Sequence, residues 1–412
     1  MKNILLIFTT VLLASNVFAN GKLLIVGGAL SSENRNVYDA FLKSRALGRN
    51  KIAIIPVASS KPIKSAKSFK QDLVRFGAKE NEVMIFPLAV MDDPTTKVDE
   101  RLWRDNAFDE QKIEVLDQVG AVWFTGGDQM RIINTLLSPQ GHDSPLLKRL
   151  RHMLNTQGIV IGGTSAGAAM MSNVMIAAGD SFTALTALPS DQYYGMETQE
   201  QGQLFLHQGI GFFPYGIVDQ HFDRKSRLGR LVKTLTMNDH HMGYGVDENT
   251  AMLINLRDHI LTVIGAGNVT VVDTQGTTVS DTSILNVSLS VLGKDDTFHL
   301  KQRKLIKTQG VATVNQEYAH EASFQGGGMI LPNNRLSQML GFELLDNANS
   351  DQIRRYSFIE TGAGILYEFL QTSKSQGYWR SEGTLDHYTI DNVVLNIKPV
   401  NMIIKHDTQP ES

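Results

Sequence analysis

From Lys22 onward the chain alternates two kinds of stretch. Five short runs, "LLIVGG", "IAIIPVAS", "VMIFPLAV", "AVWFTGG" and "GIVIGG", are apolar throughout instead of at every second position, as strands buried on both faces are. Between them, "NRNVYDAFLKSRAL", "SAKSFKQDLVRFGA", "QMRIINTLLS" and "SPLLKRLRHMLNTQ" carry apolar residues every three to four positions, the spacing of helices with one face on a sheet. Strand and helix in alternation predict an α/β fold, a mostly parallel sheet with helices on both faces. In such a sheet the working site lies beyond the carboxyl ends of the strands.

After about Gly243 the pattern changes. "YGVDENTAMLIN", "ILTVIG", "NVTVVD" and "ILNVSLSVLG" have β character with turn residues between them and little helical period. They predict the closing edge of the same domain, which then spans 20–306. Residues 307–412, with "GILYEFLQ" and "YTIDNVVLNIKPVNMIIK", read as a small β-rich or mixed C-terminal extension. The start, "MKNILLIFTTVLLASNVFAN", has a basic Lys2, an apolar run from Ile4 to about Ala14, and small residues at Val17 and Ala19. That pattern predicts a signal peptide over 1–19, a mature chain from Asn20, and a secreted or periplasmic protein.

Composition narrows the chemistry. The 412 residues, 42% hydrophobic and 20% charged, suffice for one large domain plus a smaller one. A net charge of -3 with both signs interspersed gives no footprint for nucleic acid, nor for a membrane surface once the leader is removed. Cysteine is absent, which removes thiolate nucleophiles, thiolate metal sites and disulfides from consideration. No HExxH occurs, the adjacent His240 and His241 cannot both turn to one ion from one element face, and "GAGN" at Gly265 lacks the rest of a dinucleotide fingerprint. Neither a metal nor a cofactor is expected.

Against that background "IGGTSAG" stands out. Gly163-x-Ser165-x-Gly167 follows the strand "GIVI" and precedes "AAMMSNVMI", a segment rich in helix formers. A serine on a sharp strand-to-helix turn is lifted clear of the sheet, as a nucleophile must be. It needs a base and a carboxylate to orient that base. Of the 11 histidines, His142, His152, His240 and His241 sit in polar surroundings that mark solvated side chains, whereas His221 ends the apolar run "GIVDQHF". That position predicts a strand end on the same rim as Ser165. Asp247 and Glu248 in "GYGVDENTAMLI" are both candidates for the carboxylate, and alternation along a strand lets only one of them face the histidine. "FTGGDQ" offers unobstructed N–H groups at Gly126 and Gly127 which, with that of Ala166, could hold an oxyanion. "DRKSRLGRL", carrying Arg224, Lys225, Arg227 and Arg230, is expected on a helix and offers cations to substrate carboxylates.

Taken together, "GGTSAGA" at 162–168, "FTGGDQ" at 124–129, "VDQHF" running into "RxxRL" by 231, and "GYGVDENTA" at 243–251 resemble the cyanophycinases, serine peptidases related to the aspartyl dipeptidases. The resemblance covers about residues 22–306. It implies a fold like the class I glutamine amidotransferases (flavodoxin-like), with Ser165 as nucleophile, His221 as general base and Glu248, rather than Asp247, as the orienting acid. It further implies Gly126, Gly127 and Ala166 as oxyanion donors, and Asp128, Gln129, Asp219, Gln220, Lys225, Arg227 and Arg230 as substrate contacts. The substrate class implied is cyanophycin, poly-aspartate with arginine on each β-carboxyl, released as β-Asp-Arg dipeptides, and a homodimer is implied as well. The alternatives are a peptidase for other acidic or isoaspartyl peptides and a non-catalytic polyanion-binding homologue. Lys225 stands where the family usually has arginine, the stretch 179–214 is longer than usual, and the segment beyond 306 has no counterpart in compact members.

Overall fold

The computed structural model describes residues 21–196, 200–280, 283–313, 318–320 and 336–403; the expected leader lies outside them. Strands β1 (Lys22–Val26), β2 (Lys51–Ile55), β3 (Val83–Ile85), β4 (Val119–Phe124) and β5 (Val160–Thr164) are the five apolar runs. They pair in parallel in the order β1-β5-β4-β2-β3. Their uniform apolarity has a direct cause. Leu24, Val26, Ile52, Ile54 and Trp123 pack into a core on one face with the helices Arg35–Lys43 and Pro62–Arg75. Leu23, Ile25, Ala53, Ile55, Val122 and Phe124 pack into the other with Gln129–Leu136 and Pro145–Thr156. Successive residues point to opposite faces, and here both faces are dry. Trp123, stacked on Phe69 with ring centroids 4.1 Å apart and edge-on to Phe41, anchors the first face. Truncating such a side chain costs about 3–5 kcal/mol.

Downstream come β6 (Val174–Ala178), β7 (Phe205–Gln208), β8 (Ile217–Gln220), β9 (Met242–Val246), β10 (Thr250–Asn255), β11 (Ile260–Gly265) and β12 (Val269–Asp273). β6 and β7 form a separate antiparallel pair, so the apolar segment after Ser165 is not one helix: a single turn, Ala166–Ala169, gives way to a strand. β10 and β11, then Thr297–His299 and Lys304–Lys307, extend the first sheet in antiparallel fashion beside β1. β8, β9 and β12 belong to a second sheet. The chain crosses between the two sheets at 247–249 and again at 266–268.

The second sheet continues through Ile284–Leu292 into Leu385–Asn401 and Gln376–Glu382, with the hairpin Gln352–Phe358/Ala363–Leu370 on its flank. Strands from both sides of residue 306 therefore share one sheet and one core, in which Leu231 and Leu235 of the helix Leu228–Thr236 meet Tyr367, Phe369 and Leu395. The long stretch 179–214 also supports that helix. Ser181 Oγ donates to Ser226 O and accepts from the Arg230 N–H. No described helix is long and apolar enough to cross a membrane.

Candidate active site

The site is organised around the carboxyl end of β1. Three successive carbonyls there receive three separate pieces of chain: Val26 O accepts from the Ser165 N–H at 3.1 Å, Gly27 O from the His221 N–H at 2.6 Å, and Gly28 O from the Asn249 N–H at 2.8 Å. Ser165 arrives from β5 in the first sheet, His221 from β8 in the second, and Glu248 on the crossover between β9 and β10. The expected shared rim of one sheet is thus corrected to a junction where the ends of two sheets meet.

Ser165 sits at φ 54° and ψ −110°, a backbone conformation that holds its side chain out of the sheet. His221 and Asn249 also have positive φ, 49° and 55°. His221 Nε2 lies 3.0 Å from Ser165 Oγ, and His221 Nδ1 lies 2.6 Å from Glu248 Oε1. Burial lowers the pKa of His221, aided by the Lys225 and Arg227 charges and opposed by Glu248. A neutral imidazole is the form that can take a proton from serine. The second Glu248 oxygen faces the exposed Arg224 at 3.5 Å.

Asp247 points elsewhere. Its two oxygens accept from the backbone N–H groups of Asp223 and Asn268, at 3.1 and 2.9 Å, which ties the histidine loop and both sheet crossovers together. Burial pushes its pKa up to about 6. Gly126 lies against Ser165, close enough that an added Cβ would stand 3.3 Å from the serine Cβ. Gly127 has φ 141° and passes so near Ala58 O that no side chain fits. Among the described residues no acceptor engages the N–H groups of Gly126 or Gly127, and that of Ala166 is an unpaired first-turn donor.

The expected substrate contacts fare differently. Asp219 and Arg230 are buried in a two-pronged pair, with Nε to Oδ2 at 2.8 Å and a second contact at 2.6 Å, and Arg230 also donates to Gly179 O. Arg227 is buried beside them and donates to Gln220 O at 2.6 Å. These groups are corrected from free substrate forks to a charge cluster beneath the site, because burying an arginine requires a carboxylate partner. Gln220 is buried with them. Lys225 is held by Glu200. Asp128 caps the helix Gln129–Leu136 and accepts from Tyr193, and Gln129 donates to Ala177 O; both face inward. Nor does a helix carry all four cations. Positive φ at His221 and Ser226 keeps 221–227 in turns, and the helix begins only at Leu228.

Beside Ser165 and His221 opens a cavity of about 610 Å³. Its polar wall comes from a segment the motifs do not include, Ser59 to Asp72, with Lys61 and Lys64 among the lining side chains. The available signal was positional: "VASSK" follows directly on β2, at the carboxyl edge where sites of such sheets lie. No group of three or more metal-ligating side chains occurs among the described residues.

Residues 23–262 match peptidase family S51. A cyanophycinase of Geminocystis herdmanii is 29% identical over 294 residues, covering 69% of this chain and 95% of that protein. A cyanophycinase of Trichormus variabilis is 29% identical over 69% of this chain and 87% of its own length. Among solved structures, a peptidase from an acI-B1 Actinobacterium is 20% identical, with a TM-score of 0.42 over 61% of this chain and 90% of that one. The chain belongs to peptidase family S51, as a cyanophycinase-like serine-type hydrolase.

Proposed function

We propose that the protein is an exported serine exopeptidase that cuts cyanophycin into β-Asp-Arg dipeptides. The observation that carries this reading is the chain of contacts Ser165 Oγ, His221 Nε2, His221 Nδ1, Glu248 Oε1, at 3.0 and 2.6 Å, beside the unengaged N–H groups of Gly126, Gly127 and Ala166. Ser165 Oγ attacks the scissile carbonyl carbon while His221 Nε2 takes its proton. Glu248 holds the ring in the tautomer with Nδ1 protonated and stabilises the imidazolium. The three N–H groups receive the oxyanion, and each such donor is worth on the order of 3 kcal/mol. His221 returns its proton to the departing amine, leaving an acyl group on Ser165 that water then removes. The substrate follows from the named relatives, export from the pattern of the first 19 residues, and the amidotransferase-like grouping of the fold from the motif order.

Release of β-Asp-Arg from purified cyanophycin, with Ser165→Ala in parallel, tests the proposal. Release by the wild type alone is expected; equal release by the variant refutes Ser165 as nucleophile. A second reading, a peptidase for other acidic or isoaspartyl peptides, is favoured by the burial of Arg227 and Arg230, which leaves those forks unavailable. Turnover of such peptides without turnover of cyanophycin would establish it.

A further inference from the structure

The helix Pro62–Arg75 presents Lys61, Lys64, Ser65, Ser68 and Asp72 to the cavity beside Ser165. The spacing 61, 65, 68, 72 keeps one helical face on the cleft, and the eleven steps from Lys61 to Asp72 span about 16 Å. The wall is therefore graded: two ammonium groups at one end, where the first-turn N–H of Lys64 is already taken by the buried Asp93 carboxylate at 2.8 Å, and a carboxylate at the other. Outside the cleft, Lys70 of this helix is paired with Glu80 and Arg75 with Glu33. Among the described residues Lys61 and Lys64 have no carboxylate, and Asp72 no cation, within ion-pair distance. The Asp72 carboxylate is positioned by the hydroxyl of buried Tyr38, which donates to Oδ2 at 3.0 Å. A further polar residue lies at the same cavity: Thr125, 2% exposed, is among its lining residues, and its buried hydroxyl has no partner among the described residues.

We infer that this wall is a specificity groove for a zwitterionic dipeptide unit, taking substrate carboxylate at Lys61 and Lys64 and the substrate's terminal cation at Asp72. The inference rests on the peptidase reading above and deepens it, since it says which part of the protein reads the arginine. The buried Asp219–Arg230 cluster cannot do so, because its charges are already opposed. A carboxylate at the far end of the cleft accepts a guanidinium in two parallel hydrogen bonds, which a neutral urea of the same shape cannot offer with charge.

The test compares two synthetic oligomers, β-linked arginyl poly-aspartate and its counterpart with citrulline for arginine. The wild type is expected to favour the arginine oligomer in kcat/KM by about tenfold, the worth of one charge-assisted hydrogen bond. Asp72→Asn, which keeps an oxygen for Tyr38, brings the ratio towards one, and Tyr38→Phe lowers it in part. Lys61→Gln with Lys64→Gln raises KM on both oligomers. Titration of β-Asp-Arg dipeptide into the wild type and Asp72→Asn gives a second readout, expected to show weaker binding by the variant. A folded Asp72→Asn enzyme that turns over both oligomers at the wild-type ratio overturns the groove and leaves the peptidase reading intact. A wild type whose Ser165 reacts with a fluorophosphonate but which neither cleaves the oligomers nor binds the dipeptide overturns the cyanophycin reading, and the groove with it.

Discussion

Gly28→Ala tests whether the triad is held by backbone packing against β1. A Cβ added at Gly28 would stand 2.3 Å from both Nε2 and Cε1 of His221. Non-bonded heavy atoms approach to about 3.5 Å, so the ring must retreat by about 1 Å. The 3.0 Å contact with Ser165 Oγ then opens to about 4 Å, beyond hydrogen bonding. General-base catalysis contributes about 10²–10⁴-fold, so a fall of about 10³ in the acylation rate is expected. The backbone adds a second penalty, since φ of +106° at this position strains any L side chain by about 1–3 kcal/mol. The assay is the rate at which a fluorophosphonate labels Ser165, which reads activation of the hydroxyl without presupposing a substrate. Thermal unfolding in parallel separates lost activation from lost fold. A folded variant labelled within about threefold of the wild-type rate would show that the imidazole does not rest on Gly28, and would refute the geometry argued here.

Other consequences follow from the same contacts. The lowered pKa of His221 keeps its base form through mildly acidic pH, so the acid limb of kcat/KM is expected below the ordinary histidine value of 6.5; a limb above that value contradicts it. Lys225→Ala removes one of the charges lowering that pKa and should move the limb upward, read from the same pH–rate profile. Asp219→Ala leaves Arg227 and Arg230 buried without their carboxylate and should cost about 3–5 kcal/mol in denaturant unfolding. Lys225→Ala breaks only a partly exposed pair with Glu200 and should cost less than about 1 kcal/mol.

The parallel half of the fold was legible because both sheet faces are buried by helices, which makes each strand a continuous apolar run and each helix a clean stripe. The turn at Ser165 was legible for a related reason. A strand that ends at a sharp turn needs small residues, and Gly163 and Gly167 have backbone within 3 Å of where a Cβ would be. The histidine was found by its strand end, but the sheet that strand joins was not, since "GIVDQ" reads the same whether its neighbour is β5 or β9. The helix expected from "DRKSRLGRL", 223–231, begins only at Leu228, because nothing in the residue types of His221 or Ser226 announces positive φ.

The choice between Asp247 and Glu248 shows what periodicity lacks. Alternation correctly says that adjacent carboxylates diverge, but which one meets the histidine is fixed by where the chain changes sheets. β9 ends at Val246 in the second sheet and β10 begins at Thr250 in the first, so the three residues between them must turn around the end of β1. Asp247 is the first of these and is consumed holding the crossovers together through Asn268 and Asp223. Asn249 is the last and is consumed docking on Gly28 O and on Asn34. Only Glu248, between two anchored neighbours, has its carboxylate directed at His221. The same reasoning explains why Arg227 and Arg230 lie beneath the site instead of in it. Arg227 and Arg230, buried where the turn delivers His221 to Gly27 O, need a carboxylate, and Asp219, two residues before His221 on β8, is the one they reach.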